Sequence, residues 1–160
     1  MLLSALLPAA LPMIGRYWAL SRDGDIPALE IFSRHYSYRP RADGRKPVLF
    51  LGPGEKIVLL TPLGDALFCW RRFIDDSGQR GINCSVFRNE GAILSSLLIL
   101  DAEQIAWNRW PGERLYTYVN SRKIKSPNPG ACFKFAGWTP CGITKENRLI
   151  VLQKLATGTT

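Results

Sequence analysis

Residues 82–112 read INCSVFRNEGAILSSLLILDAEQIAWNRWPG, and the way this stretch divides decides the fold. Ile82 to Arg88 alternates apolar and polar side chains, the period of a strand with one buried face. Asn89-Glu90-Gly91 breaks that period. From Ala92 to Trp110, apolar residues recur at 93, 94, 97, 98, 102, 105 and 106, joined by Trp107 and Trp110. That spacing is the buried stripe of a helix, with Ser95 and Ser96 in its early turns. Pro111-Gly112 ends it. Arg114 to Val119 (RLYTYV) returns to a strand pattern. A strand–helix–strand unit requires a sheet with helices packed on it.

Upstream, Pro27 to Phe32 (PALEIF) starts with proline at a first helical position and predicts a short helix. Val48 to Leu51 and Lys56 to Thr61 are β-rich runs joined by Gly52-Pro53-Gly54, which reads as a bulge or turn. It joins two strand-like runs and lacks the Gly-Lys-Ser/Thr of a P-loop. Pro62 to Asp65 is a turn, and Ala66 to Phe73 (ALFCWRRF) is the next strand. Asp75 to Gly81 is a polar connection. Downstream, Asn120 to Pro129 is a basic loop, Gly130 to Ala136 a short helix, and Gly137 the glycine just past its end. Trp138 to Thr144 is expected to turn the chain, and Arg148 to Leu152 to form a last strand. The whole reads as an α/β (α+β) domain: a mixed, mainly antiparallel sheet flanked by helices.

The chain has 160 residues, 46% of them apolar and 21% charged. That suits one folded domain and excludes a disordered polycation. Lys and Arg exceed Asp and Glu by 21 − 13 = 8. Such an excess attracts polyanions over about a Debye length, ~8–10 Å. Nucleic acid, acidic lipid or a phosphorylated cofactor are the candidate partners, and a merely soluble basic surface is the plain alternative. The four cysteines have no Cys-x-x-Cys spacing and there is one histidine, so no structural zinc site is expected. Cys69, Cys84 and Cys132 sit among apolar residues as small core side chains, and reduced thiols in a cytoplasmic protein are expected. Met1 to Ile14 is apolar but shorter than the ~17–20 residues of a membrane span and is interrupted by Pro8 and Pro12. Residues 1–20 are therefore expected as a loosely ordered leader, 21–156 as the domain and 157–160 as a tail.

Several residues carry chemistry. His35 is the only imidazole, and its charge can change near neutrality. It suits a general base or a metal ligand, or, more plainly, a helix-end residue bonding a carbonyl. Tyr36 and Tyr38 flank it. Glu55, Asp65 and Glu90 are the carboxylates that could join it on a metal. Arg88 to Gly91 precede a helix start, where free N–H groups favour anions; the same groups serve a simple cap. Tyr116, Tyr118 and Asn120 share one strand face. Arg39, Arg41, Arg45 and Lys46 form one basic loop, and Arg122, Lys123 and Lys125 a second. Both suit phosphates of a nucleic-acid backbone, or solvent.

The order of elements, with Arg88-Asn89-Glu90-Gly91-Ala92 between strand and long helix, resembles the GNAT acyltransferase superfamily over roughly residues 26–155. The family carries an Arg/Gln-x-x-Gly-x-Gly/Ala loop there, which holds the pyrophosphate of acetyl-CoA. Arg88 and Gly91 match, while Ile93 departs from the small residue expected. Cys132 to Trp138 resembles the family's last-helix segment, with Phe133 where a tyrosine often protonates the leaving thiolate. Asn128 resembles the asparagine before that helix, two residues closer than usual. A narrower likeness, to the phage-type Mom group, rests on His35-Tyr36-Ser37, Phe87 to Gly91, Tyr116 to Val119 and Ser126 to Phe133 with Gly137-Trp138.

That resemblance implies a phage-encoded transferase that modifies adenine N6 in DNA and protects it from restriction. The Mom group adds a carbamoylmethyl group. An acyl-CoA-type cofactor would sit on Arg88, Asn89, Glu90, Gly91, Ala92 and Asn128. The chemistry would fall to His35, Tyr36, Tyr118 and Ser126. A base inside a duplex must be extruded to be reached, and Tyr36, Tyr38 and Trp138 could stack on it. An ordinary acetyl-CoA-dependent amine N-acetyltransferase is one alternative, against which Phe133 argues. A non-catalytic nucleic-acid-binding module of the same fold is the other, supported by Ile93 and Phe133.

Overall fold

The computed structural model describes residues 11–44, 49–124 and 128–157. In chain order the elements are β1 (Ala19–Leu20), α1 (Ile26–Ser33), β2 (Glu55–Leu60), β3 (Ala66–Arg72), β4 (Ile82–Asn89), α2 (Ser95–Arg109), β5 (Leu115–Val119), α3 (Ala131–Phe135), β6 (Thr139–Ile143) and β7 (Ile150–Lys154). The seven strands form one sheet in the order β1-β2-β3-β4-β5-β7-β6. Every pairing is antiparallel except β4 with β5. The protein is thus a mixed, mostly antiparallel α+β fold.

Two apolar layers explain why the middle strands lack alternation. Leu59, Phe68, Trp70, Ile82 and Leu115 pack on one face with Leu98, Ile99 and Ala102 of α2 and Phe133 of α3. Val58, Leu60, Leu67, Cys69 and Val86 pack on the other with Ala28, Ile31 and Phe32 of α1. Strands covered on both faces read as continuous apolar runs, as Ala66 to Trp70 does. α1 packs on β3 and β4. Beyond it the same face carries Tyr118, Leu149, Val151 and Gln153, and opens into two cavities.

Four expectations are corrected. Val48 to Leu51 was expected as a strand, but residues 49–51 belong to no strand, Val48 lying outside the described residues. The Asp23 carboxylate takes the Phe50 and Leu51 amides instead, so they have no need of a sheet neighbour. Residues 138–144 do not simply turn: β6 runs antiparallel to β7 at the sheet edge, where Pro140 is tolerated beside a bulge. The last strand begins at Ile150, later than expected, because Arg148 has φ +53 and turns the chain. The loose leader does not extend to residue 20. Trp18 is fully buried, and its indole donates to Leu98 O at 2.8 Å. Arg16 and Tyr17 amides bond the Asp101 carboxylate on α2.

Among the described residues no helix is long and apolar enough to cross a membrane. Cys69 and Cys84 are buried free thiols, Cys132 is half-buried and Cys141 exposed.

Candidate functional site

The parallel β4–β5 ladder lasts three pairs: Ile82 with Leu115, Asn83 with Tyr116, Cys84 with Thr117. Beyond it the strands part. Two local features release them. A bulge shifts the β3–β4 register between Cys69 and Trp70, so that Ser85 has no partner. The Thr117 hydroxyl donates to Cys84 O at 2.9 Å, satisfying the last ladder carbonyl with a side chain.

A cavity of about 730 Å³ opens on the α1 side of this parting. His35, Tyr36 and Ser37 enter it from the end of α1, Asn83, Cys84 and Ser85 from β4, and Tyr118 and Asn120 from β5 and the residue after it. Arg39, Arg71, Arg122 and Lys123 supply cations, and Glu146 a carboxylate. His35, Tyr36 and Arg39, and Tyr118, Arg122 and Lys123, from two stretches far apart in the sequence, therefore share one hollow. Its size suits a nucleotide-sized ligand.

His35 is held as a neutral ring. Burial, then the nearby Arg88 guanidinium, lowers its pKa to about 4. Its Nδ1 accepts the Ser37 amide at 3.1 Å, which leaves the proton on Nε2. Ser37 Oγ lies 2.7 Å from the same nitrogen. An imidazole tuned so low is a weak base at neutral pH, and its useful atom is the Nε2–H donor. Tyr36 is 36% exposed and tilts against His35, with ring centroids 4.4 Å apart. Burial of its hydroxyl raises its pKa, and the Asn120 backbone N–H pulls it back down.

Asp75 is a residue that the sequence reading passed over. It is 9% exposed. Its Oδ2 accepts the Tyr116 and Tyr118 hydroxyls at 2.9 and 2.7 Å, and its Oδ1 the Ser77 amide at 2.7 Å. Burial, together with the carboxylate that accepts its proton, pushes Tyr118 up to about 12. Tyr118 therefore stays protonated with its hydrogen committed to Asp75. The alternation of Tyr116 and Tyr118 was the one signal that could have pointed to a shared partner.

The loop from β4 to α2 lies outside the cavity. Glu90 accepts Arg34 twice and Arg88 once, at 2.7, 2.8 and 2.6 Å. Those two guanidinium groups hold its pKa down at about 2. Asn89 bonds Ile93 O, Ser95 Oγ and the Gly91 amide. Gly91 has its own structural reason: a Cβ there would come within 2.3 Å of Asp65 Oδ2. α2 starts without a side-chain cap and without an acid in its first turn. Among the described residues, the Ala92, Ile93 and Ser96 amides have no hydrogen-bond partner. Asn128 accepts Lys134 Nζ at 2.8 Å.

Phe133 is buried edge-on against Phe87 and Trp138. Trp138 is also buried, its indole donating to Glu103 at 2.9 Å, so it cannot stack on an extruded base as expected. Tyr38 packs edge-on against Phe32, which leaves Tyr36 as the stacking surface of the three. Arg41 is paired with Asp43 and does not line the cavity. Ser126, Lys125, Arg45 and Lys46 lie outside the described residues. Glu55 is paired with Arg109 and Arg72, and Asp65 with Thr61. Among the described residues no three His, Cys, Asp or Glu side chains gather as a metal site.

No family model matches the chain, and neither does any curated protein or solved structure.

Proposed function

We propose that the protein is a GNAT-like group transferase of the Mom kind, acting on the N6 amine of an adenine extruded from DNA. The carrying observation is the single parallel strand pair, β4–β5, which parts after three residues. The parting lies between a helix start with free amides and a cation-lined cavity.

The residues fit an acyl-CoA. The Ala92, Ile93 and Ser96 amides sit at the positive end of α2, and Glu90 is neutralised by Arg34 and Arg88. These amides would hold the cofactor's phosphates. The cofactor would supply an activated carbon for the adenine amine. Around the amine, this chain positions more than it titrates. Tyr36 offers a stacking face, His35 a neutral Nε2–H, and Arg39, Arg122 and Lys123 bind the backbone phosphates on either side.

Two observations favour a second reading, a nucleic-acid-binding module without transfer chemistry. Phe133 offers no proton, and the Tyr118 proton is committed to Asp75. Calorimetry with acetyl-CoA, beside DNA binding followed across a salt series, separates the two. Thioester binding together with salt-sensitive DNA binding supports the transferase. DNA binding without thioester binding supports the module, and the absence of both rejects each.

A further inference from the structure

Asn83 lies in the floor of the cavity, in the last but one pair of the parallel ladder. It is 5% exposed. Its Oδ1 accepts the Ser85 hydroxyl at 2.7 Å, while its Nδ2 has no hydrogen-bond partner. A buried amide N–H left unpaired is destabilising, so its presence on a strand that lines a cavity calls for a partner. Trp110 Nε1 is also without a partner, but it lines neither cavity.

The surroundings define what could complete Asn83. Arg39, Arg122 and Lys123 suit phosphates, and Tyr36 offers an aromatic face beside them. Nδ2 lacks an acceptor, and beside an aromatic face and phosphate-binding cations a flat base edge would supply one. We propose that Asn83 reads the substrate base, donating Nδ2–H to an unprotonated ring nitrogen beside the exocyclic amine of adenine. This rests on the reading of the protein as acting on a DNA adenine. The chemistry of the base edges follows. Adenine presents acceptors on both sides of its amine, at N1 and N7. Guanine carries a hydrogen on N1, so a contact there would set donor against donor, whereas N7 accepts in both purines and a contact there would not separate them. Cytosine N3 is an acceptor like adenine N1, so this contact alone does not separate adenine from cytosine.

The test is binding of the full chain to a single-stranded oligothymidine carrying one central adenine, compared with strands carrying 1-deazaadenine or 7-deazaadenine there. Removing the paired nitrogen should weaken wild-type binding roughly 3–10-fold for one of the two analogues, the range for a single hydrogen bond. In Asn83→Leu that gap should vanish, and adenine binding should fall to the level of the analogue. Thermal unfolding should show Asn83→Leu close to wild type in stability, because the lost Ser85 hydrogen bond is offset by removal of a buried unpaired donor. Asn83→Asp, close in shape but without the donor, gives the same comparison if the leucine variant does not fold. Equal binding of adenine and both analogues by the wild type overturns the proposal and leaves DNA action intact, as does a gap that persists in the variants. No salt-sensitive binding to any of the strands overturns the reading beneath it and the proposal together.

Discussion

Glu90 accepts the Arg34 guanidinium through two parallel hydrogen bonds, Nε to Oε2 at 2.7 Å and Nη2 to Oε1 at 2.8 Å. The pair joins the end of α1 to the turn before α2, and so links the cavity wall to the helix start. Both side chains are partly exposed and screened by solvent, so Arg34→Ala should cost little at neutral pH. The pH dependence is more telling. Glu90 has its pKa lowered from 4.5 to about 2, so its contribution is complete above pH 4.5 and is lost as pH falls through 2. Wild type and Arg34→Ala should converge in stability across that window in acid denaturation.

His35 titrates in the opposite chemical sense with the same consequence. Its pKa falls from 6.5 to about 4, so the unfolded chain binds a proton more readily than the native one between those values. Stability should therefore decline as pH drops from 6.5 towards 4. As the only histidine, it gives one imidazole signal by NMR. A midpoint near 4, rising in Arg88→Gln, is expected; a midpoint of 6 or above contradicts the buried neutral ring.

Glu103 is 1% exposed on α2 and is matched by Lys154, whose Nζ lies 2.6 Å from Oε1 and also donates to Ala136 O. Removing the lysine alone strands a buried carboxylate, so Lys154→Met should cost about 3 kcal/mol or more. Glu103→Gln in the same background should recover part of that loss, since the amide can still accept the Trp138 indole. Denaturant unfolding of the two variants measures the recovery.

Asp75 holds two phenols and an amide with one carboxylate. Asp75→Ala should destabilise by about 2–3 kcal/mol, the scale of hydrogen bonds to a charged group. It should also bring the Tyr118 phenol down from about 12, read as earlier phenolate absorbance in alkaline titration. Unchanged titration would mean that Asp75 does not govern Tyr118.

The basic rim should act through charge alone. Arg122→Ala and Lys123→Ala should each lower the slope of log affinity against log salt by about 1 for DNA, with little change in preference between sequences. A lost sequence preference with an unchanged slope would assign these residues to the bases instead.

What was legible in the sequence followed from burial. β2 and β3 are continuous apolar runs because both their faces are covered, and α2 carries its apolar side chains at the helical period, so each was marked by its own pattern. β6 was not legible because all five of its residues are exposed and Pro140 interrupts it, so nothing apolar marks the strand. The Val48 to Leu51 run misled for the converse reason: an apolar run was held by a distant carboxylate, Asp23, that no local pattern reveals. The site divided in the same way. His35 and Tyr36 stood out by type, and the basic loops by charge. Asp75 lay in a polar turn 41 residues from Tyr116, and Asn83 looked like any polar residue on the open face of a strand. Trp138 looked like a stacking surface until Glu103 took its indole hydrogen.

The most direct measurement is the nucleoside composition of DNA from cells expressing the protein, by mass spectrometry after complete digestion. The account predicts an adenine nucleoside of increased mass with the added group on N6, absent when His35, Tyr36 and Asn83 are replaced together. DNA whose four nucleosides all keep their ordinary masses, from cells holding the folded protein, would contradict it.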